Sequence, residues 1–280
     1  MPEAPLNIAR SFAARMIRGV ARRVEPRNKW SFLDANQEQL GAVLPLDLGA
    51  LIAAYAAARG ECFIVQIGAH TGNLNDPVEK AIRTLGLSAI LVEPQRREFE
   101  ALTAHYADQP QVILERAAIA RESGEATLYK VCPEFWAEHN FPAESASQIS
   151  SLNREQIGAV VEIFGGALLR KDEAAYLHSE IVPAYTLALL LAKHGTDRID
   201  LLQIDAEGYD FEVIKMIDWQ AAPAIINYET VNLSVPDRQS CWALLREKGY
   251  DLFASDTYNT VAIRRRTGVC GVAITGPNTH

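Results

Sequence analysis

Residues 62–72 read CFIVQIGAHTG, and this stretch decides the fold. Its first six residues form a nearly unbroken apolar run, as expected of a strand covered on both faces. Gly68 and Gly72 then let the chain turn sharply and approach a ligand closely, because glycine brings no Cβ. Asp76-Pro77-Val78-Glu79 follows as a helix start, with an N-cap carboxylate, a proline at the first position and an acid at the third.

The same alternation extends outward in both directions. Upstream, Leu46 to Arg59 reads as an Ala-rich helix closed by Gly60. Downstream come a strand at Ala89 to Val92, a helix from Arg96 to Ala107 and a strand at Gln111 to Leu114. Glu125 to Val131, after the Ser123-Gly124 turn, is expected to pair back as a hairpin arm. Between Cys132 and Tyr185 the pattern lapses into an irregular insert with two prolines before Phe164, a Ser-rich patch at Ser145 to Ser151 and one helical piece near Glu173. It resumes with a helix at Leu187 to His194, a strand at Ile199 to Ile204 and a helix at Tyr209 to Ile217. A strand at Ala224 to Tyr228, a helix at Gln239 to Lys248 and strands at Tyr250 to Ser255 and Thr260 to Arg264 close the chain. This order predicts an α/β fold with a mostly parallel sheet, and the closing pair predicts an antiparallel edge.

Composition narrows the function. The 280 residues are 49% hydrophobic and 22% charged, which suits a globular protein with a sizeable core. No run reaches the roughly 18 apolar residues of a membrane-spanning helix. The net charge is 27 minus 35, or −8, so no nucleic-acid partner is expected. Cys62, Cys132, Cys241 and Cys270 lie far apart without metal-ligand spacing, which points to reduced thiols in a cytoplasmic protein.

Three segments are expected: 1–45, a body at 46–266 that contains a substrate-cap insert at 132–185, and a tail at 267–280. Charge marks the first of them. Through Trp30 there are seven cations and two anions. On a helical wheel Ile8, Phe12, Met16, Val20 and Val24 share one half, while Arg10, Arg15, Arg18 and Arg22 take the other. Three placements are open for this basic amphipathic helix: packing on the body or on a second subunit of a homo-oligomer, peripheral contact with an anionic membrane, or organelle targeting.

In sheets of this kind ligands bind beyond the carboxyl ends of the strands, where strand order reverses. Gly68, Ala69, His70 and Gly72 follow the first strand. Glu93 and Pro94 follow the second, and Glu93 lies 21 residues past Gly72, a spacing at which an acid can take both hydroxyls of a ribose. Ala117 follows the third, small enough to flank an adenine. Asp205 and Glu207 follow the fourth, Asn227 and Glu229 the fifth. The GxxxG spacing is not the GxGxxG of dinucleotide folds, and acids after three strands would repel a pyrophosphate. They suit S-adenosylmethionine, which carries a sulfonium cation and no phosphate. The rival readings are a nucleotide-cofactor oxidoreductase and a non-catalytic binding protein on the same fold.

FIVQIGAHTG, LVEPQ, LLQIDAEGYDFEVI and IINYE, in this order, resemble the FkbM-type S-adenosylmethionine-dependent methyltransferases. The resemblance runs from Cys62 to Ile263. It implies a class I methyltransferase (Rossmann-like) fold with a seven-stranded, mostly parallel sheet. It also implies methyl transfer to a hydroxyl of a sugar, glycolipid or natural product, with a nitrogen or another small metabolite as the alternative acceptor. The sequence departs from the family at His70, Gln66 and Arg116. Asp205, Glu207 and Glu229 are then the candidate bases, and Gly68, Ala69, His70, Gly72, Glu93, Pro94, Ala117 and Asp205 the cofactor contacts. Ser150, Ser151, His139 and His178 are the candidate contacts to a small-molecule or glycan acceptor. No metal is required; if Mg²⁺ bound, Asp205, Asn227 and Glu229 would supply its oxygens.

Overall fold

Parallel strands whose every side chain is buried need helices on both faces, and the computed structural model is built on that requirement. It describes residues 46–73, 76, 78–138, 147, 149–165, 175–255 and 258–265. The expected basic N-terminal helix, the expected helical piece near Glu173 and the tail at 267–280 lie outside the described residues.

The main sheet has seven strands: β1 (Ile64–Ile67), β2 (Ala89–Val92), β3 (Val112–Glu115), β8 (Leu201–Ile204), β9 (Ile225–Glu229), β10 (Tyr250–Ala254) and β11 (Asn259–Arg264). Their order is β10-β11-β9-β8-β1-β2-β3. The reversal point therefore lies between β1 and β8, which run parallel with Ile67 opposite Ile204. β11 is antiparallel to both β9 and β10. The inverted strand thus sits one place in from the edge.

Side-chain alternation along the strands separates two cores. Val65, Ile67, Val92, Leu202, Ile204 and Ile226 pack against α6 (Leu187–Lys193), α7 (Asp210–Lys215) and α8 (Val235–Glu247). Ile64, Ala89, Leu91, Leu201 and Ile225 pack on the opposite face against α1 (Leu48–Arg59), α2 (Glu79–Leu85) and α3 (Arg96–His105). Each large aliphatic side chain so buried contributes roughly 1.5–3 kcal/mol. The helix ends follow local chemistry: Asp47 caps α1, Thr186 caps α6, and Gly60 closes α1 in the left-handed conformation. α8 begins four residues before the Gln239 expected, because Ser234 caps it through the Asp237 N–H and Pro236 occupies its first turn.

Two expectations are corrected here. Glu125 to Val131 does not pair back as a hairpin arm: β5 (Gly124–Val131) joins β4 (Ala118–Ile119), β6 (Ser150–Ser151) and β7 (Leu177–Tyr185) in a second sheet of order β4-β7-β5-β6. The stretch 132–185 is not irregular either. It holds α4 (Pro133–Glu138), β6 (Ser150–Ser151), α5 (Arg154–Gly165) and the nine-residue β7 (Leu177–Tyr185), while β4 (Ala118–Ile119) enters the same sheet from just after β3. β5 and β7 match over eight residue pairs. Most of their residues are exposed or half-buried, which a two-sided parallel sheet would not tolerate but a peripheral antiparallel one does. Phe135, Trp136, Ile157, Val161 and Tyr176 give this region a small core of its own. Among the described residues no helix is long and apolar enough to cross a membrane.

Candidate active site

The loops after β1 and β8 meet backbone to backbone at the reversal point. The Asp205 N–H donates to the Ile67 carbonyl at 2.9 Å, and Gly68 sits beside it at φ +79°. A Cβ on Gly68 would lie 1.8 Å from the Asp205 carbonyl oxygen. Glycine is therefore demanded by the neighbouring loop. Gly72 has a similar reason: a Cβ there would come within 2.7 Å of Leu102 and Tyr106 on α3 and its C-cap. Both glycines shape the loop after β1 by packing.

Glu93 follows β2 and is only 3% exposed. Its carboxylate accepts the His70 N–H at 2.9 Å and the Gln95 N–H at 2.8 Å. Burial pushes its pKa up to about 7, against the pull of those two amides. Glu93 thus holds the loop after β1 to the chain after β2, and each oxygen keeps a lone pair for a further donor. His70 takes a left-handed conformation (φ 48°), and its Nε2 lies 3.1 Å from Ser147 Oγ. Gln95 Nε2 donates to the Ser147 carbonyl at 3.0 Å. Burial lowers the His70 pKa to about 4, so its ring is neutral at physiological pH. Pro94 is half-buried beside Glu93, and Ala117 is fully buried in the core under β2.

The acids come together beyond β8 and β9. Asp205 is exposed, Glu207 and Glu229 are half-buried, and Asp210 is fully buried. Asn232 Nδ2 donates to Glu207 Oε2 at 2.9 Å and to Glu229 Oε2 at 2.5 Å. Asp210 accepts the Gly208 N–H at 3.2 Å and the Glu229 N–H at 3.1 Å. Burial, then the charges of Asp205 and Asp210, raise Glu207 well above the ordinary carboxylate range; Glu229 rises for the same reasons, with Glu207 adding to them. Burial and Asp205 lift Asp210 to about 7. Asp210 and Asn232 are the members that sequence reasoning missed. Asp210 reads as a helix-start acid, and Asn232 carries no motif at all.

The remaining candidates are placed differently. Ser151, 2% exposed, uses its hydroxyl to accept the Asn153 N–H and to donate to the Glu207 carbonyl, so it ties the second sheet to the acid loop. Ser150 is half-buried and pairs with Lys130. His178 is exposed on β7, paired with the same Lys130, and makes no described contact with the acids. His139 lies outside the described residues. Asn227 is corrected as a metal ligand: it is 1% exposed, its Oδ1 accepts from Ser255 and its Nδ2 donates to Gln203. Among the described residues no group of three or more His, Cys, Asp or Glu side chains is arranged to hold a metal ion.

A positively charged sulfonium fits this donor set. Four carboxylates crowd the carboxyl ends of β8 and β9 beside the glycine loop, and the charge of Asp205 raises the proton affinity of Glu207, Asp210 and Glu229.

Comparison with known proteins accords with this geometry. Curated proteins yield no match. Among solved structures, the FkbM methyltransferase of Methylobacillus flagellatus KT is 10% identical, with a TM-score of 0.44 over 89% of this chain and 58% of that one. An O-methyltransferase from Bacillus cereus, in complex with SAH, is 10% identical (TM-score 0.39, 87% and 94% of the two chains). TomG of Streptomyces achromogenes, an O-methyltransferase of tomaymycin synthesis in complex with SAM, is 11% identical (TM-score 0.38, 94% and 99%). Residues 66–252, more than half of the chain, match the family model described as the methyltransferase FkbM domain. The chain belongs to the FkbM methyltransferase family, enzymes that take their methyl group from S-adenosylmethionine.

Proposed function

We propose that the protein methylates a hydroxyl oxygen of a sugar, glycolipid or natural-product acceptor. The observation that carries this reading is the pairing of Glu207 with Glu229 on one amide, within an acid cluster at the reversal point. An alcohol is a poor nucleophile at neutral pH, and a base within reach of its proton is worth about 10²–10⁴-fold. The Glu207–Glu229 pair supplies that base. Its raised proton affinity lets it take a proton from a hydroxyl more readily than an ordinary surface carboxylate would. Asp205 stands at the mouth of the site, exposed, where it faces a cation without desolvation.

Bound S-adenosylmethionine supplies a carbon already activated toward an oxygen nucleophile. The residues that would hold it are Gly68 to Gly72 on the loop after β1, Glu93 toward the ribose, and Asp205 near the positive charge. Positioning is then the main task of the remaining structure. The second sheet, tied to the acid loop through Ser151, is the part of the fold placed to select the acceptor. Transfer of a tritiated methyl group into a fractionated cell extract tests the reading. A labelled neutral or glycosidic product with an ether linkage is expected. Label on nitrogen, or none in any fraction, would overturn it.

A further inference from the structure

The hydrogen-bonded ladder between β8 and β9 ends where Ile204 stands opposite Tyr228. Glu207 lies three residues beyond that point and Glu229 one, so strand pairing does not fix their side chains relative to each other. Glu207 also sits at φ 47° and is followed by Gly208 at φ 88°, two consecutive left-handed residues. For a glutamate that conformation is uncommon and persists where neighbours enforce it.

Two side chains bridge the gap. Buried Asp210 holds the backbones, one oxygen on the Gly208 N–H and the other on the Glu229 N–H. Asn232 holds the carboxylates. Its Nδ2 carries two hydrogens, one for each Oε2, and neither Oε1 accepts a hydrogen bond from any described residue. We infer that Asn232 is a positioning residue that clamps Glu207 and Glu229 into a single proton-accepting unit with their Oε1 atoms free for the acceptor. The inference rests on the reading of that pair as the base.

The choice of an amide has a chemical reason. An arginine or lysine in this place would hold the same two oxygens but would stabilise their charge strongly and lower their basicity. A neutral donor orients them at little loss. The charged groups that act on the pair are acids, Asp205 on the loop after β8 and Asp210 at the start of α7, and both favour proton uptake. The neighbours of this loop from the second sheet and α5, Ser151 and Gln156, are neutral.

The test compares Asn232→Leu and Asn232→Ala, which remove both donors, with Asn232→Gln, which keeps them on a longer arm. Turnover is measured with S-adenosylmethionine and the extract fraction that the wild-type protein labels. Leu and Ala are expected to lose about 10²-fold in kcat, the scale of a misplaced catalytic group. KM for S-adenosylmethionine should stay within about 2-fold, and Gln should recover part of the loss. Full kcat in the Leu variant, or a loss confined to cofactor affinity, overturns the clamp and leaves the methyltransfer reading standing. A wild-type protein that labels nothing overturns the reading instead. Infrared difference titration of the site carboxyls decides the clamp without an acceptor. Bands altered by Leu and restored by Gln support it, and unaltered bands refute it.

Discussion

Strand β8 has an acid at each end, and the two are treated in opposite ways. Asp200, just before it, is 6% exposed and fully matched: it accepts the Tyr55 hydroxyl at 2.8 Å and the Phe63 N–H at 2.7 Å, and it pairs with Arg198 at 2.7 Å. The surrounding cleft, about 530 Å³, is lined by Arg59, Arg198, Arg264 and Arg265 together with Asp197 and Asp200. Arg198 also pairs with Glu61, Arg265 with Asp251, and Arg264 donates to the Ala222 carbonyl. Glu207, past the other end, has one neutral amide and three nearby acids. The amino end of the sheet is richer in charge, yet Arg198, Asp200, Arg264 and Arg265 all have partners there. Uncompensated acid is what separates a working site from a structural one, because burial then stores proton affinity instead of cancelling it.

The largest expected effect comes from removing the uncompensated charge. Glu229→Gln and Glu207→Gln should each lower turnover by about 10²–10⁴-fold. Neither should lower the melting temperature, since each relieves a repulsion. A variant that melts earlier while keeping its turnover would place these acids with Asp200 as structural groups. At the compensated end the pattern should invert. Asp200→Ala leaves the Tyr55 hydroxyl and the Phe63 N–H without their acceptor, a loss of about 3 kcal/mol in stability. Turnover per folded molecule should be unchanged. Chemical denaturation alongside an active-site titration with the cofactor product checks both halves.

How far these two ends could be told apart in the sequence depends on distance along the chain. β1 and β2 were legible because burial on both faces writes a continuous apolar run, and β2 lies where it was expected, at Ala89–Val92. The acids after the strands were legible because strand ends in this fold carry the chemistry. Asn232 was not, since its role exists only once Glu207 and Glu229 are side by side. Gly68 was read as a ligand-approach residue, while its close neighbour is the Asp205 backbone, 137 positions further on. β7 escaped notice because Pro183 and its polar residues mask the alternation of an exposed strand, and a window of sequence cannot name a strand's partner. The start of α8 is written in Ser234, Pro236 and Asp237, the cap and first turn that precede the apolar periodicity from Gln239.

Glu93 stands between the two cases, buried and yet bonded only to backbone N–H groups. Glu93→Ala should weaken binding of S-adenosylmethionine by about 10- to 100-fold, the loss of a charge-assisted bond together with the loop it anchors. Calorimetry on the folded variant reads this directly. An unchanged affinity would make Glu93 purely structural, the counterpart of Asp200.

The smallest effect is a pH dependence of stability, and it discriminates the two ends most sharply. Glu93 and Asp210 are both held near 7 in the folded protein, against ordinary values of 4.5 and 3.8. Over that interval the folded protein keeps protons that the unfolded chain releases. Their contribution is therefore full below about pH 4 and is lost as pH rises through 7. His70 acts in the other sense. Its pKa falls from 6.5 to about 4, so its contribution is present above 6.5 and is lost as pH drops through 4. The two oppose each other below about pH 6.5, and above it the acids act alone. Melting temperature should accordingly fall by about 2–4 °C between about pH 6.5 and 8, the shift expected of roughly 1 kcal/mol in a chain of this size. Combining Glu207→Gln with Glu229→Gln should flatten that slope by removing two further raised carboxyls. A melting temperature that rises across this interval would mean that the acids at the carboxyl end find partners as complete as those of Asp200, and the contrast between the two ends of β8 would be lost.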